Sequence, residues 1–183
     1  MLENAGVPFE PVDAPCDEDT EKIRLREQSI GGRELAEALA MVKASAARAG
    51  PDDLVLGADQ TLECDDGRML DKAESRADAL EQLRSLSGRS HQLHSAAAIC
   101  EAGTTVWQAT ESVRLDMRPL SEDFLESYLD VEYAGVRSNV GCYRIEGRGL
   151  QLFDRIVGSQ FAIMGLPMMA LLHYLRERGI IPQ

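Results

Sequence analysis

Val55-Leu56-Gly57-Ala58-Asp59-Gln60-Thr61-Leu62 is an apolar run broken by two small residues and an acid. Its start, Leu54 to Leu56, is short, branched and without alternation, the pattern of a strand buried on both faces of a helix-covered sheet. An ionised carboxylate has no place inside such a core. The pattern therefore predicts Asp59 at the carboxyl end of the strand, where open α/β sheets hold their ligands. Gly57 and Ala58 would admit a close backbone or a ligand. Capping a turn is the other role open to Asp59.

On the upstream side, Gly31-Gly32 breaks the chain and Glu34 to Arg48 reads as a helix, with Leu35, Ala36, Leu39, Ala40, Ala46 and Ala47 at helical spacing. Lys43 falls within that stripe. A lysine there must snorkel out along its stem or meet an anion, and the small alanines around it offer little apolar cover. On the downstream side, Asp65-Asp66-Gly67 is a hairpin signal between Thr61-Leu62-Glu63-Cys64 and Arg68-Met69-Leu70. The return strand is expected to deliver Lys72 opposite the strand carrying Asp59, so that two lysines and an aspartate converge.

The remaining elements follow outward. Met1 to Gly6 reads as the last turn of a helix closed by Gly6, which implies a segment upstream of Met1. Val7 to Val12 could form an edge strand, because Pro8 and Pro11 cannot serve a central ladder. Cys16 to Glu21 reads as an acidic loop, either solvated surface or a hard-cation site. Ser75 and Asp78 resemble a capping box, opening a helix through Leu80, Leu83 and Leu86 that Gly88 stops. His91 and His94, three apart on a strand, point to opposite faces and cannot easily share a metal. Ser95 to Cys100 and Thr104 to Leu115 read as antiparallel strands turning at Gly103, with Trp107 as an anchor. Ser121 caps a helix that buries Phe124, Leu125, Tyr128 and Leu129; Val131 to Asn139 reads as an irregular connection, and Leu150 to Phe153 as a short strand. Gly165-Leu166-Pro167 starts a last helix, which Gly179 closes. Gly147-x-Gly149 lacks the third glycine of a dinucleotide fingerprint.

The 183 residues suffice for one α/β domain. A net charge of -12 repels nucleic acid and anionic membranes, while leaving room for a small anion in a locally basic pocket. The four cysteines lie far apart, without a C-x-x-C pair, and read as reduced thiols. No apolar run is long enough to span a bilayer and no basic-then-apolar leader is present, so a soluble, cytoplasmic protein is expected. From spacing alone this is an anion-binding α/β domain suited to hydrolysis at phosphorus, where cations hold phosphate oxygens and a carboxylate serves the attacking water.

Four blocks in register, Gly57-Ala58-Asp59-Gln60, Leu86-Ser87-Gly88-Arg89-Ser90-His91, Glu146-Gly147-Arg148-Gly149 and Gly165-Leu166-Pro167, resemble the Maf family of nucleoside triphosphate pyrophosphatases. The resemblance implies an inosine-triphosphatase-like α/β fold with a mixed central sheet flanked by helices, and a homodimer. It also implies hydrolysis of a nucleoside triphosphate to the monophosphate and pyrophosphate with a divalent metal, Mg²⁺ or Mn²⁺. By the same likeness Asp59 is the proton acceptor, Lys43 and Lys72 bind phosphate, Glu146 lies in the substrate pocket and Asp17 near the metal. The family is further associated with clearing modified nucleotides and with arrest of septum formation, so a catalytically weak, nucleotide-binding regulator of cell division is the alternative expectation.

Three departures from the family pattern stand out. The strand and Ser-x-Ser-x-Arg-Arg phosphate loop that normally precede the segment matching Met1 to Gly6 are not in this sequence. A triphosphate carries roughly four negative charges, of which Mg²⁺, Lys43 and Lys72 would offset all and leave no surplus. Glu146 stands where many members have glutamine; an ionised glutamate only accepts hydrogen bonds, which favours bases that present donors. Asp71-Lys72-Ala73 replaces Gly-Lys-Pro.

Overall fold

A computed structural model describes residues 1–183. Five strands form one sheet: β1 (Leu54–Cys64), β2 (Met69–Leu70), β3 (Ser90–Glu101), β4 (Thr104–Met117) and β5 (Phe153–Val157), in the order β2-β1-β3-β4-β5. Where a mixed sheet was expected, the outer ladders are antiparallel: Leu62 pairs with Leu70, and Arg114 with Val157. A short turn explains the first, since β1 joins β2 without the crossover a parallel pair needs; β5 returns to β4 after α4 and the 3-10 turn. The helices are α1 (Glu18–Arg26), α2 (Gly32–Ala46), α3 (Arg76–Leu86), α4 (Glu122–Val136), α5 (Gln160–Ile163) and α6 (Met168–Glu177). None is long and apolar enough to cross a membrane.

Two compact units divide the chain. The first comprises Met1–Asp59, Ser95–Glu111 and Gly165–Gln183. In it Gly6 caps a single 3-10 turn, at φ 68°, as the sequence predicts. Val7 to Val12 is irregular rather than a strand, because two prolines leave too few donors for a ladder; Val7 is instead buried with Ile99, Met168, Leu171 and Tyr174. Trp107 stacks on Tyr174 with centroids 5.4 Å apart, which fits its reading as an anchor. Arg178 ties α6 to the end of β3 through Glu101 at 2.6 Å. The alanine stripe of α2 packs as Ala36, Ala40 and Ala44 with Ala96, Ala98 and Cys100 of β3.

The second unit comprises Gln60–His94 and Ser112–Met164. Its core gathers Leu62, Leu83, Leu86, Leu125, Tyr128, Leu129 and Leu152. The predicted hairpin is present, closed by the Cys64 amide on the Arg68 carbonyl at 2.8 Å. Ser75 accepts from the Asp78 amide and Ser121 from the Phe124 amide, as the cap positions predict. Two segments differ from the sequence reading. α4 runs on to Val136, because Val136 adds another buried contact at helical spacing. Arg148 to Leu152 forms a 3-10 turn rather than part of a strand, and Phe153 is the first residue to pair with β4.

His91 and His94 find separate partners, as residues three apart on β3 should: Tyr143 Oη at 2.7 Å and Ser112 Oγ at 2.8 Å. His91 is fully buried and its Nδ1 has no partner. Burial holds its pKa down at about 4, against the pull of Asp116. A histidine whose folded pKa lies below its unfolded value takes up its proton more readily when unfolded. Stability is therefore lost as pH falls from about 6.5 through 4, by about 3 kcal/mol for this group. Urea unfolding at stepwise lower pH should show that loss, and His91→Gln should flatten it.

Candidate active site

The first unit holds Lys43, Asp59 and the start of α1. Asp17 closes the amino end of α1, accepting from the Thr20 amide at 3.1 Å and the Thr20 hydroxyl at 2.7 Å. These hydrogen bonds hold its pKa below the usual carboxylate range. The acidic loop expected here is thus a capped first turn, in which Glu18, Asp19 and Glu21 also meet the positive end of the helix dipole.

Capping sets the direction of Glu18. Its Oε2 lies 3.0 Å from Lys43 Nζ, and Asp59 Oδ1 lies 2.5 Å from the same nitrogen. α2 delivers that nitrogen because Gly57 lets the helix press on β1: a Cβ at Gly57 would sit 2.3 Å from the Ala40 carbonyl oxygen and 2.4 Å from the Ala44 nitrogen. Lys43 thus meets anions rather than snorkelling. Asp59 is inside β1 rather than at its carboxyl end, since the strand continues to Cys64. A buried acid is tolerated in mid-strand because an ammonium is supplied from the facing helix.

The two charges respond differently to burial. The Asp59 side chain is 10% exposed and that of Lys43 23%. Burial pushes the Asp59 carboxyl above its ordinary value, with Glu18 adding to the rise and Lys43 and Lys22 opposing it. For Lys43 burial acts downward, yet the hydrogen bonds and charges of Asp59 and Glu18 outweigh it and hold the ammonium above the usual lysine range. A carboxylate raised in this way is a better proton acceptor at neutral pH.

Lys72 and Glu146 belong to the second unit. The return strand expected to carry Lys72 opposite β1 ends at Leu70; Lys72 itself is exposed and makes an isolated antiparallel bridge with Val140. Glu146 is exposed in the turn before the 3-10 segment. That turn is shaped by its glycines, for a Cβ at Gly149 would fall 2.3 Å from the Arg144 carbonyl oxygen. Arg144 in turn holds the buried Glu132 at 3.1 Å.

Two residues near Asp59 were not singled out from sequence, Glu18 and Lys22. The signal was there in Asp17-x-x-Thr20, an amino-terminal cap that makes Glu18 and Lys22 neighbours one turn apart on one helix face. No group of three or more His, Cys, Asp or Glu side chains is arranged to hold a metal. The donor chemistry still suits Mg²⁺, which takes one or two carboxylates and draws its other ligands from phosphate and water. Glu18, with its side chain 38% exposed, is a carboxylate so placed.

The family model for Maf-like protein matches residues 1–178. A nucleoside triphosphate pyrophosphatase of Caulobacter vibrioides is 41% identical over 181 residues, covering 99% of this chain and 90% of the relative. One of Sphingopyxis alaskensis is 43% identical over 184 residues, covering 100% and 93%. One of Nitrobacter winogradskyi is 44% identical over 185 residues, covering 99% and 89%. With a family match over nearly its whole length and relatives above two-fifths identity, the chain belongs to the Maf-like protein family.

Proposed function

We propose that this protein hydrolyses a nucleoside triphosphate to the monophosphate and pyrophosphate. The observation that supports this most is the Lys43 ammonium held between the Asp59 and Glu18 carboxylates, at 2.5 and 3.0 Å. It puts a proton acceptor and a phosphate-binding cation in contact, within a chain whose relatives carry that activity in their names.

In the proposed reaction a water attacks the α-phosphorus and gives its proton to Asp59. The bond from the α-phosphorus to the bridging oxygen breaks, and the electron pair leaves with pyrophosphate. Lys43 holds Asp59 Oδ1 in the resting site and steadies phosphate oxygens as charge builds on them. A divalent cation, when bound, would neutralise phosphate charge; Glu18 is the carboxylate proposed to hold it, because both oxygens of Asp17 already accept from Thr20. Lys72 and Glu146 are proposed as substrate-binding residues on the family resemblance.

Pyrophosphate release from a panel of standard and modified nucleoside triphosphates, with Mg²⁺ or Mn²⁺, tests the proposal. Turnover of at least one nucleotide with pyrophosphate as product is expected. Nucleotide binding in a calorimeter with no release from any member of the panel would overturn it in favour of a non-catalytic regulator.

A further inference from the structure

The short helix α1 brings a second cation toward the carboxylate pair. Lys22 follows Glu18 by one turn, so the two side chains lie on one face of α1, and α1 packs on α2, which carries Lys43. Glu18 fixes the direction of that face, because its Oε2 is 3.0 Å from Lys43 Nζ. Lys22 is half-buried, unlike Arg24, which is exposed and turned to Glu21 with Nε 2.9 Å from Oε2. The Lys22 charge also reaches Asp59, favouring the ionised carboxyl.

Charge balance gives this lysine a task. A triphosphate brings roughly four negative charges, which one divalent cation, Lys43 and Lys72 only just offset, with no surplus. Asp59 and Glu18 turn that balance into a deficit by repelling the incoming anion. From its place beside them the geometry points to Lys22 as a further substrate-binding residue, holding the pyrophosphate portion of the nucleotide against the two carboxylates. The assignment rests on the proposed hydrolysis for its physiological ligand, but not for its chemistry. A lysine so placed binds inorganic pyrophosphate whether or not the chain turns a nucleotide over.

Charge builds on pyrophosphate as it leaves, so loss of Lys22 weakens both binding and the transition state and lowers kcat/KM. The test compares wild type with Lys22→Gln, Lys22→Arg and Arg24→Gln, measuring inorganic pyrophosphate binding by titration calorimetry and nucleotide hydrolysis by steady-state kinetics. Lys22→Gln should weaken pyrophosphate binding about tenfold and lower kcat/KM by at least as much. Lys22→Arg should restore most of the binding. Arg24→Gln removes one positive charge from the same helix and should match wild type. Equal pyrophosphate affinity for Lys22→Gln and wild type, or no pyrophosphate binding by wild type, overturns the inference. An equal loss from Arg24→Gln also overturns it, by reducing the effect to net charge. If wild type binds pyrophosphate through Lys22 but hydrolyses no nucleotide, the inference holds and the proposed activity fails.

Discussion

Asp59→Asn should lower kcat for pyrophosphate release by about 10³-fold, the middle of the range for loss of a positioned general base. Asparagine keeps a carbonyl oxygen for Lys43, which now donates to Asp59 Oδ1 at 2.5 Å, but it cannot take a proton from water. KM should stay level or fall, because a negative charge facing the phosphates is removed. Folding should survive, since the Lys43 ammonium keeps the Glu18 carboxylate at 3.0 Å as its counter-charge and the asparagine oxygen as an acceptor, while the burial cost of the ionised Asp59 carboxyl is relieved. A melt within a few degrees of wild type, alongside the kinetic loss, separates chemistry from stability. The pH profile supplies an independent readout. The base must be ionised, so kcat/KM falls as pH drops through the Asp59 pKa, and burial places that acid limb above the ordinary carboxylate value of about 3.9. Lys43 is raised and stays charged through neutral pH. Equal kcat for Asp59→Asn and wild type would remove Asp59 from the reaction.

What could be read from the residues divides along one physical line. Features fixed by local spacing came through: the α2 stripe of Leu35, Ala36, Leu39 and Ala40 is buried, the Asp65-Asp66-Gly67 turn closes its hairpin, and Ser75 and Ser121 cap their helices. Lys43 beside Asp59 was legible for the same reason, since a lysine within an apolar stripe has few options. Features that depend on what lies opposite did not come through. Asp59 was expected at a strand end because a mid-strand acid is costly, yet the Lys43 ammonium expected to face it is what offsets that cost and lets β1 run on to Cys64. The acid run was visible, but not its division of labour: Asp17 caps α1, while Glu18 is the acid that reaches Lys43. Lys72 was placed by extending a hairpin register that stops at Leu70, before the chain turns to Val140. Register propagates only as far as the ladder does.

Gly57→Ala should be the most damaging methyl group that can be added near the site. The new Cβ would lie 2.3 Å from the Ala40 carbonyl oxygen, 2.4 Å from the Ala44 nitrogen and 2.9 Å from the Ala44 Cα, all backbone atoms of α2. A side chain could rotate away; a helix backbone cannot, so α2 must retreat by about 1 Å to restore ordinary contact. That retreat opens the layer where Ala36, Ala40 and Ala44 meet Ala96 and Ala98, and should cost about 3 kcal/mol, the upper end for overpacking. In a chain of this size the melting temperature should fall by about 10 °C. Activity should fall further than stability, because Lys43 follows Ala40 on the same helix and moves with it, and a displacement of about 1 Å at a reacting group costs about 10²-fold. Gly135→Ala is the contrast: in α4 the added Cβ would meet only the tip of the Arg144 side chain, at 3.4 Å, and replacing a helical glycine should leave stability equal or raise it by about 0.5–1 kcal/mol. Thermal melts and kcat/KM for the two variants decide the matter. If Gly57→Ala melts with wild type and keeps its activity, close approach of α2 to β1 is not what holds Lys43 on Asp59.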